Sequence, residues 1–299
     1  MNKQRNLTVT FGPALLLLIL AGLIRFVLFE RWHMLPENYG HDLEYTAESQ
    51  IRERVDGQLS PSSVYVRQVA QTLTVTGHVA IIQSNLYWYS DTDQVIFQSN
   101  GLYGVDRNTY MNLSGYGDVS RSGQFLFPPG IQKGSFPYWD AMFIGPRQAE
   151  FSGVRTLDGL KLYEFHFTGT DMDETRGYSG LPDVPEHYRV LTSGSGTLWI
   201  EPITGILVDY EETGISYYVD PVTKRKVTEL FVWSDTFTPE TRTAQVGLAH
   251  SNRAQFLIFE FWLPVLLLVA GLFWFLTGLF FGSRIKKKDQ RLYENSLTE

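Results

Sequence analysis

The sequence predicts a mainly β protein. An antiparallel β-sheet ectodomain is flanked by an N-terminal and a C-terminal transmembrane α-helix, the latter extended by a membrane-proximal helical stalk. Three observations carry this. Apolar residues run almost unbroken from Leu7 to Phe29 and again from Phe256 to Phe281. Between them lie short segments rich in Val, Ile, Thr, Tyr, Phe and Trp, separated by Gly, Pro, Asn and Asp, a pattern of strands and turns rather than of βαβ units. Before the second apolar run, only the stretch from Thr238 looks helical: Thr238 can cap and Pro239 suits the first helical position.

Taken in order, residues 1–6 form a cytoplasmic tip and residues 7–29 a first span. Residues 30–237 form the β-rich extracytoplasmic domain and 238–255 the membrane-proximal helix. Residues 256–282 form a second span and 283–299 a basic cytoplasmic tail. A helix over 7–29 reaches about 34 Å, enough for a hydrocarbon core of about 30 Å. The alternative for this segment is a cleaved signal peptide, but the stretch is longer than a signal h-region and no A-x-A-like site follows. Lysine and arginine set the orientation: "MNKQR" and "SRIKKKDQR" are basic, and basic flanks stay cytoplasmic. Both termini are therefore expected inside, and residues 31–253 outside the cytoplasmic membrane. That middle segment has 17 basic and 27 acidic residues, which argues against nucleic acid as a partner.

Each span contains one charge, Arg25 and Glu260. The two could pair at similar depth and tie the helices together, or each could reach water separately. Gly271, Gly278 and Gly282 include one small-xxx-small step that permits close helix contact. From Thr238 no breaker precedes Pro264, so a continuous helix is expected, kinked at that proline, with its first part standing as a free stalk. The chain has no cysteine, so the ectodomain depends on a hydrophobic core instead of disulfides.

Within the ectodomain, "QTLTVTGHVAIIQ" (71–83) alternates with period two, placing Leu73, Val75, Val79 and Ile81 on one face of a strand. Further strands are expected at 86–90, 94–99, 102–106, 109–113, 149–155, 160–168, 188–192, 196–201, 206–212, 215–219 and 226–233. Most are shorter than the roughly 9–11 residues of a membrane-crossing strand. The Gly- and Pro-punctuated stretches 123–140 and 168–187 read as loops.

Three acidic corners punctuate the strands. Glu201-Pro202-Ile203-Thr204-Gly205 has a carboxylate to accept turn amides, a proline to preset φ, and a glycine for the left-handed closing position. Asp220-Pro221-Val222-Thr223 repeats it with Lys224 in the glycine's place. A left-handed lysine costs about 1–2 kcal/mol, so that corner is expected to close differently. Asp106-Arg107-Asn108-Thr109 is a third copy. The acids are read as structural.

No chemistry-bearing constellation stands out. The six histidines form no zinc-binding spacing; His78 and His166 fall in strand patterns. "DMDE" at 171–174 could hold calcium but reads better as a solvated hairpin tip. "SGSGT" at 193–197 has the wrong register for a nucleophile elbow. No catalytic residue, metal ligand or cofactor is expected. "FPYWDAMFIG" (136–145) is the strongest ligand-contact candidate: Tyr138, Trp139 and Asp140, with Phe136 and Phe143, either plug a sheet end or line an apolar cavity mouth.

Several short motifs occur in a fixed order: Val105 to Thr109, Phe127-Pro128, Tyr138-Trp139-Asp140, Asp158-Gly159-Leu160 with Tyr163 and Phe165, and Trp199 to Pro202 with Thr204-Gly205. In this the chain resembles the porin PorA family, actinobacterial-type envelope proteins of unknown function. The resemblance implies the same layout, a helix at each end of one β-rich extracytoplasmic domain. Tyr110 stands where the family's corner often continues with glycine, which implies a reshaped loop. The function expected from all this is non-catalytic: a membrane-anchored envelope protein binding a lipid or lipid-linked envelope molecule. The alternative is a structural or assembly component with a membrane-protein partner, and pore formation ranks below both.

Overall fold

A computed structural model describes residues 2–141 and 145–296. It divides into two compact units, residues 33–253 and the terminal segments 1–32 with 254–299.

In the first unit the strands are β1 Gly40–Ile51, β2 Ser60–Thr76, β3 Val79–Ser90, β4 Val95–Asp106, β5 Asn112–Gly117, β6 Ser135–Asp140, β7 Gly145–Leu157, β8 Leu160–Asp173, β9 Arg189–Ile200, β10 Leu207–Val219 and β11 Lys226–Phe237. Among the described residues they form one antiparallel sheet in the order β5-β4-β3-β2-β1-β11-β10-β9-β8-β7-β6. Each strand pairs with its sequence neighbours except β5 and β6, which form the two edges, and β1 pairs with β11, for instance Tyr45 opposite Phe237. The two edges are bridged by Gln124, antiparallel to Met111 and parallel to Tyr138. The amide of Gln124 donates to Pro137 and that of Trp139 to Gln124, while Phe125 donates to Tyr110. The sheet is thus an up-and-down near-barrel with a short twelfth stave.

This corrects three expectations. The stretch 123–140 is not all loop: Gln124 near its start bridges the two sheet edges and its end is strand β6. The stretch 71–83 is a hairpin turning at Gly77-His78, where Gly77 has φ +61°, and its buried residues are Val79, Ala80 and Ile82, while Leu73 is exposed. Strands β1–β4 and β7–β11 run 12–17 residues. Glycines that read as breaks lie inside them because a neighbouring ring needs the space. A Cβ on Gly196 would meet the Phe167 ring at 2.4 Å, and one on Gly214 the Trp233 ring at 2.2 Å.

The barrel interior is mostly apolar and its outer face mostly polar. On β8, Phe165 and Phe167 are buried while His166 between them and Thr168 after them are exposed. On β1, Leu43 and Tyr45 point in, whereas Asp42 pairs outside with Arg67 at 2.5 Å and Glu44 accepts from Tyr65 at 2.6 Å. Rings fill much of the interior: Trp88 meets Trp233 edge-on at 5.9 Å, and Phe231 stacks on Trp233 at 5.2 Å. One end is closed by the loop 174–188, whose Tyr178 is buried against Phe97 at 5.0 Å and bonds Ser216 at 3.1 Å.

The three acidic corners share one conformation. Asp106 accepts from the amides of Asn108 and Thr109 at 2.8 and 3.0 Å. Glu201 accepts from the Thr204 amide and hydroxyl at 2.8 and 2.9 Å, and Asp220 from Val222 and Thr223 at 2.8 and 2.7 Å. These amides hold the Asp220 carboxyl below its ordinary range. The fifth residue is left-handed in every case: Tyr110 at φ +63°, Gly205 at +74° and Lys224 at +59°. Two expectations fail here. Lys224 does adopt the left-handed state, its amide donating to Asp220 at 2.9 Å. Tyr110 does not reshape its corner, because burial of its ring and a 3.1 Å bond to the His33 carbonyl offset the backbone cost. Lys224→Gly is therefore expected to stabilise the protein by about 1 kcal/mol, raising the melting temperature by about 2–4 °C. A thermal melt that stays level or falls would contradict this.

Helix α3, Pro239–Leu257, is capped by Thr238, whose hydroxyl accepts from the Thr241 amide at 3.1 Å. It is not a free stalk. Within the barrel unit one stripe of it packs on the outer wall: Val246 and Ala249 cover Leu160, Leu162, Trp199 and Val208. Arg242 bonds Asp209 at 2.8 Å, and Arg253 bonds Glu201 at 2.8 Å. The stripe at spacings of four, three and four residues is helical, and an arginine ends it on each side.

In the terminal unit, α1 spans Asn2–Leu23, a π-helical turn Ile24–Leu28 and α2 Phe29–Trp32; at the other end a π-helical turn covers Ile258–Trp262 before α4, Leu263–Ser296. Pro264 explains the second π turn, since it cannot donate to the carbonyl four residues earlier. The helix Pro239–Phe280 is long and apolar enough to cross a membrane, whereas Gly12–Leu28 is shorter than a span requires. The expected first span of 7–29 is thus met only in part. A Cβ on Gly271 would sit 3.3 Å from the Ala14 carbonyl, the close approach its size permits.

Candidate functional site

At the barrel end where β1 begins and β11 finishes, the interior opens into a cavity of about 310 Å³, at the lower limit of the roughly 300–1,000 Å³ of small-molecule sites. Its walls are mostly aromatic and aliphatic, with Leu43, Phe125, Phe127, Leu198 and Leu207 among them; Gln245, Leu248 and Asn252 of α3 reach its rim. Tyr138, Trp139 and Asp140 all line it. They do so from strand β6, not from an irregular segment, and Phe143 lies outside the described residues. Tyr138 is buried and donates to Asp140 at 3.0 Å.

Behind Asp140 the barrel holds a layer of buried acids. Glu174, Glu212 and Asp235 are 1%, 1% and 2% exposed, with Arg147 at 4%. Glu212 lies directly across β10–β11 from Asp235, accepts from Trp233 at 2.9 Å and also bonds Tyr210. Burial first, and then the Asp235 and Asp140 charges, raise the Glu212 carboxyl well above the carboxylate range. Burial and Asp140 do the same to Asp235. Burial pushes Glu174 up to about 8, against the opposing 2.6 Å bond from Thr192. Each of these three carboxyls is therefore shifted toward its neutral form. Glu174 is thus no solvated hairpin tip, although its neighbour Asp171 does face outward and pairs with Lys226 at 2.7 Å.

Sequence reading missed this layer and His41. One signal was available: in strand register, Glu212 lies two residues from Tyr210, and Asp235 two from Trp233. An acid two along a strand from a core ring must share its face.

Arg25 and Glu260 are brought together at 3.7 Å, each about two-fifths exposed (41% and 39%) and each within one of the two π-helical turns. The Arg25 guanidinium also lies 5.6 Å from the Phe29 ring, which meets Phe256 edge-on at 5.7 Å.

The described residues thus form an up-and-down near-barrel with a cavity at one end, in a chain that also has an apolar helix long enough to cross a membrane. The chain belongs to the Porin PorA family, whose model matches residues 8–280. A curated relative, "Porin PorA" of Corynebacterium amycolatum, is 40% identical over 45 residues, which is 15% of this chain and 12% of that protein. The motifs that resembled the family cluster near the cavity end. Asp158 and Gly159, both with positive φ, form the two-residue turn between β7 and β8, and Gly205 closes its corner against Phe127 and Pro128.

Proposed function

We propose that this chain is a non-catalytic envelope protein whose barrel receives the apolar tail of a lipid or lipid-linked envelope molecule. Helices at both ends anchor it in the cytoplasmic membrane, with both termini cytoplasmic and the barrel outside. The observation that carries the reading is the cavity: about 310 Å³ with aromatic and aliphatic walls, at one end of a barrel whose core is largely ring-filled. Burying methylenes there gains about 0.8 kcal/mol each.

The family's description names a porin, and pore formation is the second reading. Two features weigh against conduction through the barrel. Its interior is occupied by rings such as Trp88, Phe165 and Trp233, and its outer face carries Asp42, Arg67 and His166 where a membrane barrel needs an apolar band.

Native mass spectrometry of the full-length chain, released from detergent micelles, tests the proposal. One bound lipid is expected on the wild-type protein. Leu207→Trp, which fills the cavity wall, is expected to lose it. A bare wild-type chain, or equal lipid on the variant, would refute the proposal.

A further inference from the structure

We propose that the cavity's ligand carries a neutral hydrogen-bond acceptor, an ester or hydroxyl oxygen, that is received by the Nε2–H of His41. This rests on the cavity reading above and adds the chemical class of its occupant. On β1, His41 shares the inward face with Leu43 and Tyr45, and all three line the cavity. Most of the hydroxyls around it are already engaged. Tyr45 donates to Gln68 at 2.9 Å, Tyr110 to the His33 carbonyl, Tyr138 to Asp140, and Tyr210 to Glu212. His41 Nε2 differs: it is buried and has no hydrogen-bond partner among the described residues.

The tautomer follows from its neighbour. Tyr39 bonds His41 Nδ1, and its phenol stays protonated because burial raises it far above the ordinary tyrosine range. Among the described residues Nδ1 is the phenol's only side-chain hydrogen-bond partner; we assign the phenol as the donor, so that Nδ1 accepts and the ring proton lies on Nε2. Leaving such a donor unmet costs about 1–3 kcal/mol, and an acceptor on the ligand removes that cost. Burial also lowers His41 to about 4, with Asp42 only partly opposing. The ring offers no positive charge, so a neutral oxygen suits it better than a free carboxylate.

The test uses full-length protein in an amphipathic polymer and two probes that quench tryptophan, one being Trp139 in the wall: methyl 11-bromoundecanoate and 1-bromododecane. A neutral hydrogen bond contributes about 0.5–1.5 kcal/mol, so the ester is expected to bind about three- to tenfold more tightly. His41→Phe should erase that preference and keep bromododecane binding. His41→Gln, which returns a donor near Nε2, should retain the preference, and His41→Asn, which reaches only Nδ1, should lose it. Equal binding of both probes to wild type, or a preference surviving in both His41→Phe and His41→Asn, would overturn the inference alone. Failure of both probes to bind would overturn the cavity reading beneath it. If His41→Phe does not fold, the Gln and Asn pair decides.

Discussion

Replacing Arg253 with methionine is expected to destabilise the barrel unit by about 3 kcal/mol, the scale of breaking a buried pair by removing one partner. Glu201 is fully buried, and its two oxygens have separate tasks. One caps the corner through Thr204, and the other meets Arg253 at 2.8 Å. Losing the guanidinium leaves a buried carboxylate half-satisfied, while the methionine keeps most of the apolar stem. At about 2–4 °C per kcal/mol for a unit of this size, the melting temperature should fall by about 6–12 °C. Adding Glu201→Gln to the variant should recover part of the loss, since no charge then remains buried. A loss below 1 kcal/mol would mean that the corner needs nothing from α3, and the double variant would then be no better than the single one.

That pair also marks where sequence reading stopped. Glu201 was legible as a corner residue, because an acid, a proline and a glycine at those spacings specify a turn by local chemistry. Its second bond was not, since it joins residues 52 apart in the chain. The same divide holds for the fold. Strand character followed from period two and β-branched residues, but closure did not. The β1–β11 pair and the Gln124 bridge are long-range contacts that leave no local period. Strand ends were misread wherever glycine faces a ring, because Gly196 and Gly214 punctuate in sequence and make room in space.

The candidate site divides similarly. Tyr138, Trp139 and Asp140 were visible as clustered aromatics beside an acid, and all three do reach the cavity. The buried acids were hidden because acidic residues in strands are usually placed on the solvent face. Only the register relative to neighbouring core rings reverses that reading. α3 was read as a stalk because its stripe is weakly apolar: two of its four contact residues are arginines that pair with buried acids.

The acid layer makes the fold sensitive to pH. A carboxyl whose folded pKa is raised binds more protons folded than unfolded. Its contribution is therefore fully present below the unfolded value and is lost as pH rises through the folded value. For Glu174 the window runs from the ordinary glutamate range of about 4.5 up to about 8. His41 opposes this below about 6.5, because its folded pKa is lowered and its contribution grows with pH there. The acid effect is cleanest between pH 6.5 and 8. There each raised carboxyl costs about 1.4 kcal/mol per pH unit, so Glu174 alone accounts for about 2 kcal/mol. Glu212, raised by burial and by Asp235 and Asp140, and Asp235, raised by burial and by Asp140, steepen the loss. Glu174→Gln keeps an acceptor for Thr192 and cannot ionise. Denaturant unfolding at pH 6.5 and 8 should therefore show the variant losing about 2 kcal/mol less than wild type across the interval. Identical losses would mean that Glu174 is already ionised in the folded barrel, with Arg147 as its counter-charge, and the neutral acid layer would have to be redrawn as an ion network.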